Sequence, residues 1–326
     1  MVSEIESLLR EQLIDRRQKL QAAANGFVEA SEVRRLLAEV DSALNRMELG
    51  TYGLCDVCHD PVETERLIAN PLARLCLDHL SAPEQRALED DLALAAQIQL
   101  GLLPQPSQQI DGWEIAYHYQ PAGIVSGDYC DIIRGEDDSV LFALGDVSGK
   151  GVAASMLMAH LQAMFRTLIS SSLPLEQMLE RASRIFCEST LPTHYATLVC
   201  GKTTTAGAVE ICNAGHLPPL LFHQGVVRNI DATGLPVGVF CNEHFAVNNI
   251  QMEKGDALLL YTDGLSEARD HTGVEYGIER LAQLFRGNSE LAPRILLDAC
   301  VKDLDSFRAA RMPTDDLTLM VIRRTH

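Results

Sequence analysis

The chain has 326 residues, 47% of them hydrophobic, and carries a formal net charge of −18. That length allows two or three domains with substantial cores. The acidic balance argues against nonspecific binding to nucleic acid or to an anionic membrane surface, and suits a site that gathers divalent cations.

No apolar run approaches 18 residues, so no transmembrane helix is expected. The start, Met1-Val-Ser-Glu-Ile-Glu6, lacks the basic onset and apolar core of a signal peptide. Nine cysteines, several in apolar strands as at Cys200 and Cys212, read as reduced thiols of a cytoplasmic protein.

Residues 3–24 read as a helix. Ser3 and Glu6 fit a capping box, and Ile5, Leu9, Leu13 and Leu20 share one side. Asn25-Gly26 signals a turn. A second helix is expected over 31–49, with Val33, Leu37, Val40, Leu44 and Met47 inward. The short connection predicts an antiparallel hairpin over 1–50. Two such helices bury little, so something must clamp them.

The clamp is Cys55-Asp-Val-Cys58 and, after 17 residues, Cys76-Leu-Asp-His79. Two such pairs give zinc four tetrahedral sulfur and nitrogen ligands, which leaves no position for water and makes the site structural. Tyr52-Gly-Leu-Cys-Asp-Val-Cys58, Arg66-Leu-Ile-Ala-Asn-Pro71 and Leu75-Cys-Leu-Asp-His79 resemble the DksA/TraR zinc finger, which would occupy 51–80. His79 stands where that family usually has a fourth cysteine. The tip at 24–30 lacks the paired aspartates those proteins use against RNA polymerase. The resemblance therefore implies a sensor or docking module more than a polymerase ligand.

Pro83 marks another helix start. Leu88, Leu92, Ala95, Ile98 and Leu102 recur at helical spacing before Pro104, which predicts an amphipathic linker over 81–104. Two roles are open for it, packing on its own domain and pairing two copies of the chain. Beyond it, strands are expected at 113–119, 128–133, 140–147, 195–201, 209–213, 220–223, 244–250, 257–261 and 317–323. Helices are expected at 152–170, 175–191, 276–285 and 291–310. Successive strands with paired helices predict an α+β fold for 105–326.

Three apolar runs deliver carboxylates into turns. Phe142-Ala-Leu-Gly-Asp146-Val-Ser-Gly-Lys-Gly151 places Asp146 at a strand end. Leu258-Leu-Leu-Tyr-Thr-Asp263-Gly264 repeats the arrangement. Pro313-Thr-Asp315-Asp316 precedes the last strand. Carboxylates beside glycines, where backbone can come close, suit a hard cation.

Ser126-Gly-Asp-Tyr-Cys-Asp131, Gly145-Asp-Val-Ser-Gly-Lys-Gly151, Asn213-Ala-Gly-His-Leu-Pro-Pro219, Tyr261-Thr-Asp-Gly-Leu-Ser-Glu-Ala268 and Asp315-Asp-Leu-Thr318 occur in this order. Together they resemble the SpoIIE/RsbU-like branch of the PPM-type metal-dependent serine/threonine phosphatases, over about residues 85–324. The resemblance implies a sandwich of two antiparallel sheets flanked by helix pairs. It implies two Mn²⁺ or Mg²⁺ ions sharing a hydroxide that attacks phosphorus in line. In that scheme Asp146 bridges both ions and Val147 lends its carbonyl. Asp263 and Asp315 complete one shell, while Asp128 and Asp131 hold metal-bound water or a looser ion. Gly127 and Gly264 keep the turns tight, and Asp316 ranks below Asp315. Ser148 stands where many relatives have a histidine, so no side chain is identified as the leaving-group acid and metal-bound water is one option for it. His216, in a turn, reads as structural.

The first functional reading is a cytoplasmic, homodimeric protein phosphatase, for which the resemblance implies a phosphoprotein substrate of the anti-sigma-factor-antagonist kind. The second is a DksA-like transcription modulator with a degenerate phosphatase domain. The intact aspartates favour the first.

Overall fold

A computed structural model describes residues 2–24, 31–80, 82–135, 139–169, 173–309 and 313–326. The expected Asn25-Gly26 turn, the hairpin tip and the capping side chains of Ser3 and Glu6 lie outside the described residues, as does the Ile5 side chain. The chain divides into two compact units, Met1–Asp91 and Leu92–His326.

In the first unit, α1 (Val2–Ala24) and α2 (Ser31–Glu48) bury Leu13 against Val40, Ala43 and Leu44. A second small cluster gathers Leu9, Cys55, Val62, Leu67, Ala73 and Cys76. It draws on α3 (Thr64–Ala69), a short helix that its sequence did not announce. The division between units falls inside α4 (Ala82–Leu102).

The face that α4 buries differs from the expected stripe. Leu88 and Ile98 are exposed, and the buried residue is Gln99. Leu92, Ala95, Ala96 and Leu102 are partly covered. Gln99 sits mid-face because its amide is fully used: it accepts from Ser126 N (2.9 Å) and donates to Ser126 O (2.7 Å). A buried amide with both ends paired costs little.

The second unit is a sandwich. One sheet has the order β1-β2-β11-β10-β7-β8, from β1 (Ser107–Ile110), β2 (Trp113–Gln120), β7 (Leu220–His223), β8 (Val226–Asn229), β10 (Ala257–Tyr261) and β11 (Leu317–Arg324). The other has the order β3-β4-β5-β6-β9, from β3 (Asp128–Arg134), β4 (Val140–Val147), β5 (Ala196–Thr203), β6 (Ala208–Ala214) and β9 (Asn248–Gln251). Every neighbouring pair is antiparallel. Strand alternation sends Leu258, Leu260, Met320 and Ile322 into the core between the sheets, with Phe142 and Leu144 opposite. It sends Leu259, Tyr261, Leu319 and Val321 outward beneath α8 (Ile278–Gly287) and α9 (Pro293–Arg308). Both faces are covered, which is why these strands read as unbroken apolar runs.

On the other flank, α5 (Gly151–Ile169) and α6 (Leu175–Ser189) cover β3, β4 and β5. By length and composition alone α5 could cross a membrane, contrary to expectation. Here it buries Ala154, Met158, Leu161, Met164 and Phe165 in a protein core.

Two short strands, β1 and β8, escaped the sequence reading. Their turns were legible: Asp111-Gly112 and Gln224-Gly225 both adopt positive φ, as two-residue hairpins require. The expectation that all cysteines are reduced also fails. Cys187 and Cys241 form a disulfide across 54 residues.

Candidate metal and phosphate site

The aspartates meet at one end of the sandwich. Asp128 and Asp146 are direct cross-strand partners on β3 and β4. Asp263 opens α7 (Asp263–Ser266), the single turn after β10. Asp315 and Asp316 lie just before β11, which pairs with β10. Two glycines permit the closeness. A Cβ on Gly264 would collide with the Asp316 carbonyl. A Cβ on Gly127 would sit 3.2 Å from Val147 O and 3.5 Å from Asp146 Oδ1, which puts that carbonyl and that carboxylate on one side.

The electrostatics follow from the geometry. Burial pushes Asp146 up to about 7, and Asp263, Asp315 and Asp316 add repulsion that Lys150 offsets in part. Burial also raises Asp263, helped by Asp315 and Glu267. Lys150 Nζ donates to Asp315 Oδ2 (2.8 Å) and to Thr314 O (3.1 Å). Partly buried carboxylates that repel one another are what a hard divalent cation relieves. On chemistry and placement, Asp146, Asp263, Asp315 and the Val147 carbonyl fit such ions.

Asp128 and Asp316 are occupied differently. Asp128 Oδ2 accepts from Thr262 Oγ1 (3.0 Å) and Thr318 Oγ1 (2.5 Å), so a carboxylate of one sheet is held by hydroxyls of the other. Burial first, and Asp146 second, drive Asp128 well above the usual carboxylate range. Asp316 accepts from Ala122 N (2.7 Å) and Gly127 N (2.9 Å), fixing the loop that leads into β3.

Asp131 does not join this group. It is three residues from Asp128 along a strand and therefore faces the other way. Arg166 of α5 holds it through Nε (2.8 Å) and Nη2 (2.5 Å). His216 is a bridge between sheets: Nδ1 meets Thr197 Oγ1 (2.8 Å) and Nε2 meets Tyr261 O (3.1 Å). Burial lowers it to about 4. Cys130 lies in the core between the sheets.

The sequence reading passed over Lys150 and Arg308. Arg308 donates to Gly264 O (2.8 Å) from a buried position and lines a cleft of about 300 Å³ with Asp263, Glu267, Arg269 and Asp315. A second cleft, of about 390 Å³, lies beside Lys150, Asp315 and Asp316. Lys150 stood inside the Gly145–Gly151 motif, and its charge next to three acidic turns was the available signal.

The expected zinc ligands do come together. The ligand atoms of Cys55, Cys58, Cys76 and His79 all lie within 4.8 Å of one another. Cys76 Sγ is 3.1 Å from His79 Nδ1. Burial raises the Cys55 thiol, but the amides of Cys58, Cys76 and Val57 outweigh it and leave it at about 6. For Cys58 the Asp60 amide lowers the thiol, but burial and the Cys55 and Cys76 sulfurs outweigh it and leave it at about 11, so the crowded sulfurs share one proton balance.

Residues 136–325 match the family profile of Stage II sporulation protein E (SpoIIE), and residues 50–78 match the prokaryotic dksA/traR C4-type zinc finger. The chain is 26% identical over 263 residues to Protein IcfG of Synechocystis sp., a match spanning 72% of this chain but 41% of IcfG. It is 25% identical over 249 residues to phosphoserine phosphatase RsbU of Bacillus subtilis, spanning 74% of this chain and 72% of RsbU. The crystal structure of the RsbU and RsbW domains of a Mycobacterium tuberculosis protein aligns with a TM-score of 0.59 and 28% identity, over 68% of this chain and 63% of that one.

Proposed function

The chain belongs to the SpoIIE family, and from that premise we propose that it is a metal-dependent protein serine/threonine phosphatase. The observation that carries the reading is the convergence of Asp146, Asp263 and Asp315 from three separate segments, with Asp146 raised to about 7 by burial and by its acidic neighbours. When bound, two Mn²⁺ or Mg²⁺ ions supply Lewis-acid activation of water and of the phosphoryl group. Asp146, Asp263, Asp315 and the Val147 carbonyl would hold the ions, with Asp146 central among them. Asp128 stands beside Asp146 in the β3–β4 register and adds negative charge there, and Asp316 sets the 122–127 loop. Cys130 is enclosed in the core and offers no nucleophile, which argues against a thiolate mechanism. His216 is neutral and engaged at both nitrogens, so it does not protonate the leaving group.

The substrate belongs to the class of small phosphoprotein regulators, such as an anti-sigma-factor antagonist, in the cytoplasm. The DksA/TraR-like module acts as its sensor or docking element, with one structural zinc, and α4 pairs two copies of the chain.

The test is hydrolysis of phosphoserine and phosphothreonine proteins with and without Mn²⁺ or Mg²⁺. Asp146→Asn should lower turnover at least about 100-fold, because it weakens both ions together. Near wild-type turnover in that variant, or activity of EDTA-treated enzyme with no metal added, would refute the mechanism.

A further inference from the structure

The cysteines sort into three groups. Cys55, Cys58 and Cys76 belong to the zinc set. Cys130, Cys200, Cys212 and Cys300 are buried. Cys187 and Cys241 are bonded, with Cα atoms 5.4 Å apart, well within disulfide reach. Cys187 is partly covered and Cys241 is exposed, so a small thiol can reach this bond. Exposed disulfides are the labile kind, and in a reducing compartment a disulfide is usually transient or redox-sensing.

The bond ties the end of α6 to the segment 234–241, and that segment is stitched to the catalytic end of the second sheet. Val237 N donates to Ala196 O (2.8 Å), and Ala196 N donates to Val237 O (2.9 Å). Gly238 N donates to Ser183 Oγ (3.2 Å), and Gly238 packs against the Phe186 ring. Ala196 is the register partner of Val147, and Thr197 that of Asp146. Next to them, Ser148 N donates to Tyr195 O (2.9 Å) and Tyr195 N to Ser148 Oγ (3.0 Å).

We propose that Cys187 and Cys241 are a reversible thiol–disulfide exchange site whose oxidised form braces the start of β5, the strand paired with Asp146 and Val147 at the end of β4. The co-reactant is a low-molecular-weight disulfide, R–S–S–R. The Cys241 thiolate attacks one of its sulfurs and releases one R–S⁻. The Cys187 thiolate then displaces the second R–S⁻ and closes the protein bond. The two protein thiols lose two electrons and two protons, and the reagent is reduced to two R–SH. Two equivalents of R–SH reverse the step.

The experiment uses zinc-loaded full-chain protein equilibrated in mixtures of reduced and oxidised glutathione. Alkylation with peptide mapping should show Cys187 and Cys241 passing together from blocked to reactive as the mixture becomes reducing, and back again. Hydrogen exchange at the Ala196 and Val237 amides should be at least about tenfold faster in the reduced form, with Leu144 unchanged. Cys241→Ser should show the fast exchange in every mixture. Should that variant fail to fold, the wild-type comparison alone decides. Three results would overturn the proposal: free thiols at both positions in all mixtures, a bond that strong reductant leaves intact in the folded protein, or equal exchange in the two forms. None of these readouts uses hydrolysis, so the outcome is separable from the phosphatase assignment.

Discussion

Asp128 and Asp131 show how far a single residue's chemistry depends on which face of a strand it occupies. Both stand in Ser126-Gly-Asp-Tyr-Cys-Asp131, yet one meets Asp146 and the other meets Arg166. Asp131→Asn should therefore cost about 1.5–3 kcal/mol of stability, the range for a hydrogen bond to a charged group, and leave the metal requirement unchanged. Denaturant unfolding beside a metal titration of activity checks this; a shifted Mn²⁺ requirement without lost stability would place Asp131 in the site after all. His216 makes a pH prediction. Burial holds its folded value near 4, below the ordinary 6.5 of an unfolded chain. Protonation thus favours the unfolded chain. The contribution is complete above pH 6.5, shrinks as pH falls below it, and is gone below about 4; in full it is about 3 kcal/mol. The stability gap between wild type and His216→Gln should narrow over that window. Parallel curves would mean His216 titrates normally.

At the scale of elements, legibility followed burial pattern. The long core strands and α1, α2, α5, α6, α8 and α9 could be read because each carries a continuous or periodic apolar signal. The acidic turns could be read because three of them recur along the chain; a single Asp ending an apolar run is an ordinary turn residue. β8 could not, since three of its four residues are exposed. The Cys187–Cys241 bond could not either, since partners 54 residues apart leave no local trace. For α4, counting apolar residues missed Gln99, whose amide pairs are invisible until Ser126 is placed beside it. The exposed side of α4 selects the residues for a dimer test. Leu94 and Ile98 are more than half exposed, whereas Leu92 and Leu102 are partly covered. Leu94→Glu with Ile98→Glu should lower the molar mass toward the monomer by light scattering, with folding intact. An unchanged mass, or a monomeric wild type at working concentration, would remove pairing from the role of α4.

At the scale of the molecule, the two compact units rest on different physics. Leu92–His326 has three large apolar clusters, one between its sheets and one beneath each helix pair. Among the described residues, Met1–Asp91 has two small ones, and Cys55 and Cys76 are themselves members of one. A core that small gains much of its stability from whatever closes the Cys55, Cys58, Cys76 and His79 set, since metal binding there is also folding energy. The whole chain should therefore unfold in two calorimetric transitions. Cys76→Ser should move or abolish the one belonging to the first unit while shifting the other by no more than a few degrees, about what 1 kcal/mol does in a domain of this size. Elemental analysis of protein purified without added metal should find about one zinc per wild-type chain and well under half that in the variant. Hydrolysis in the variant should still require Mn²⁺ or Mg²⁺, because Asp146, Asp263 and Asp315 all lie in the second unit. If Cys76→Ser lowers both transitions together, the units do not fold independently. If zinc content and both transitions stay unchanged, the four residues are ordinary side chains of the first unit and its stability has another source.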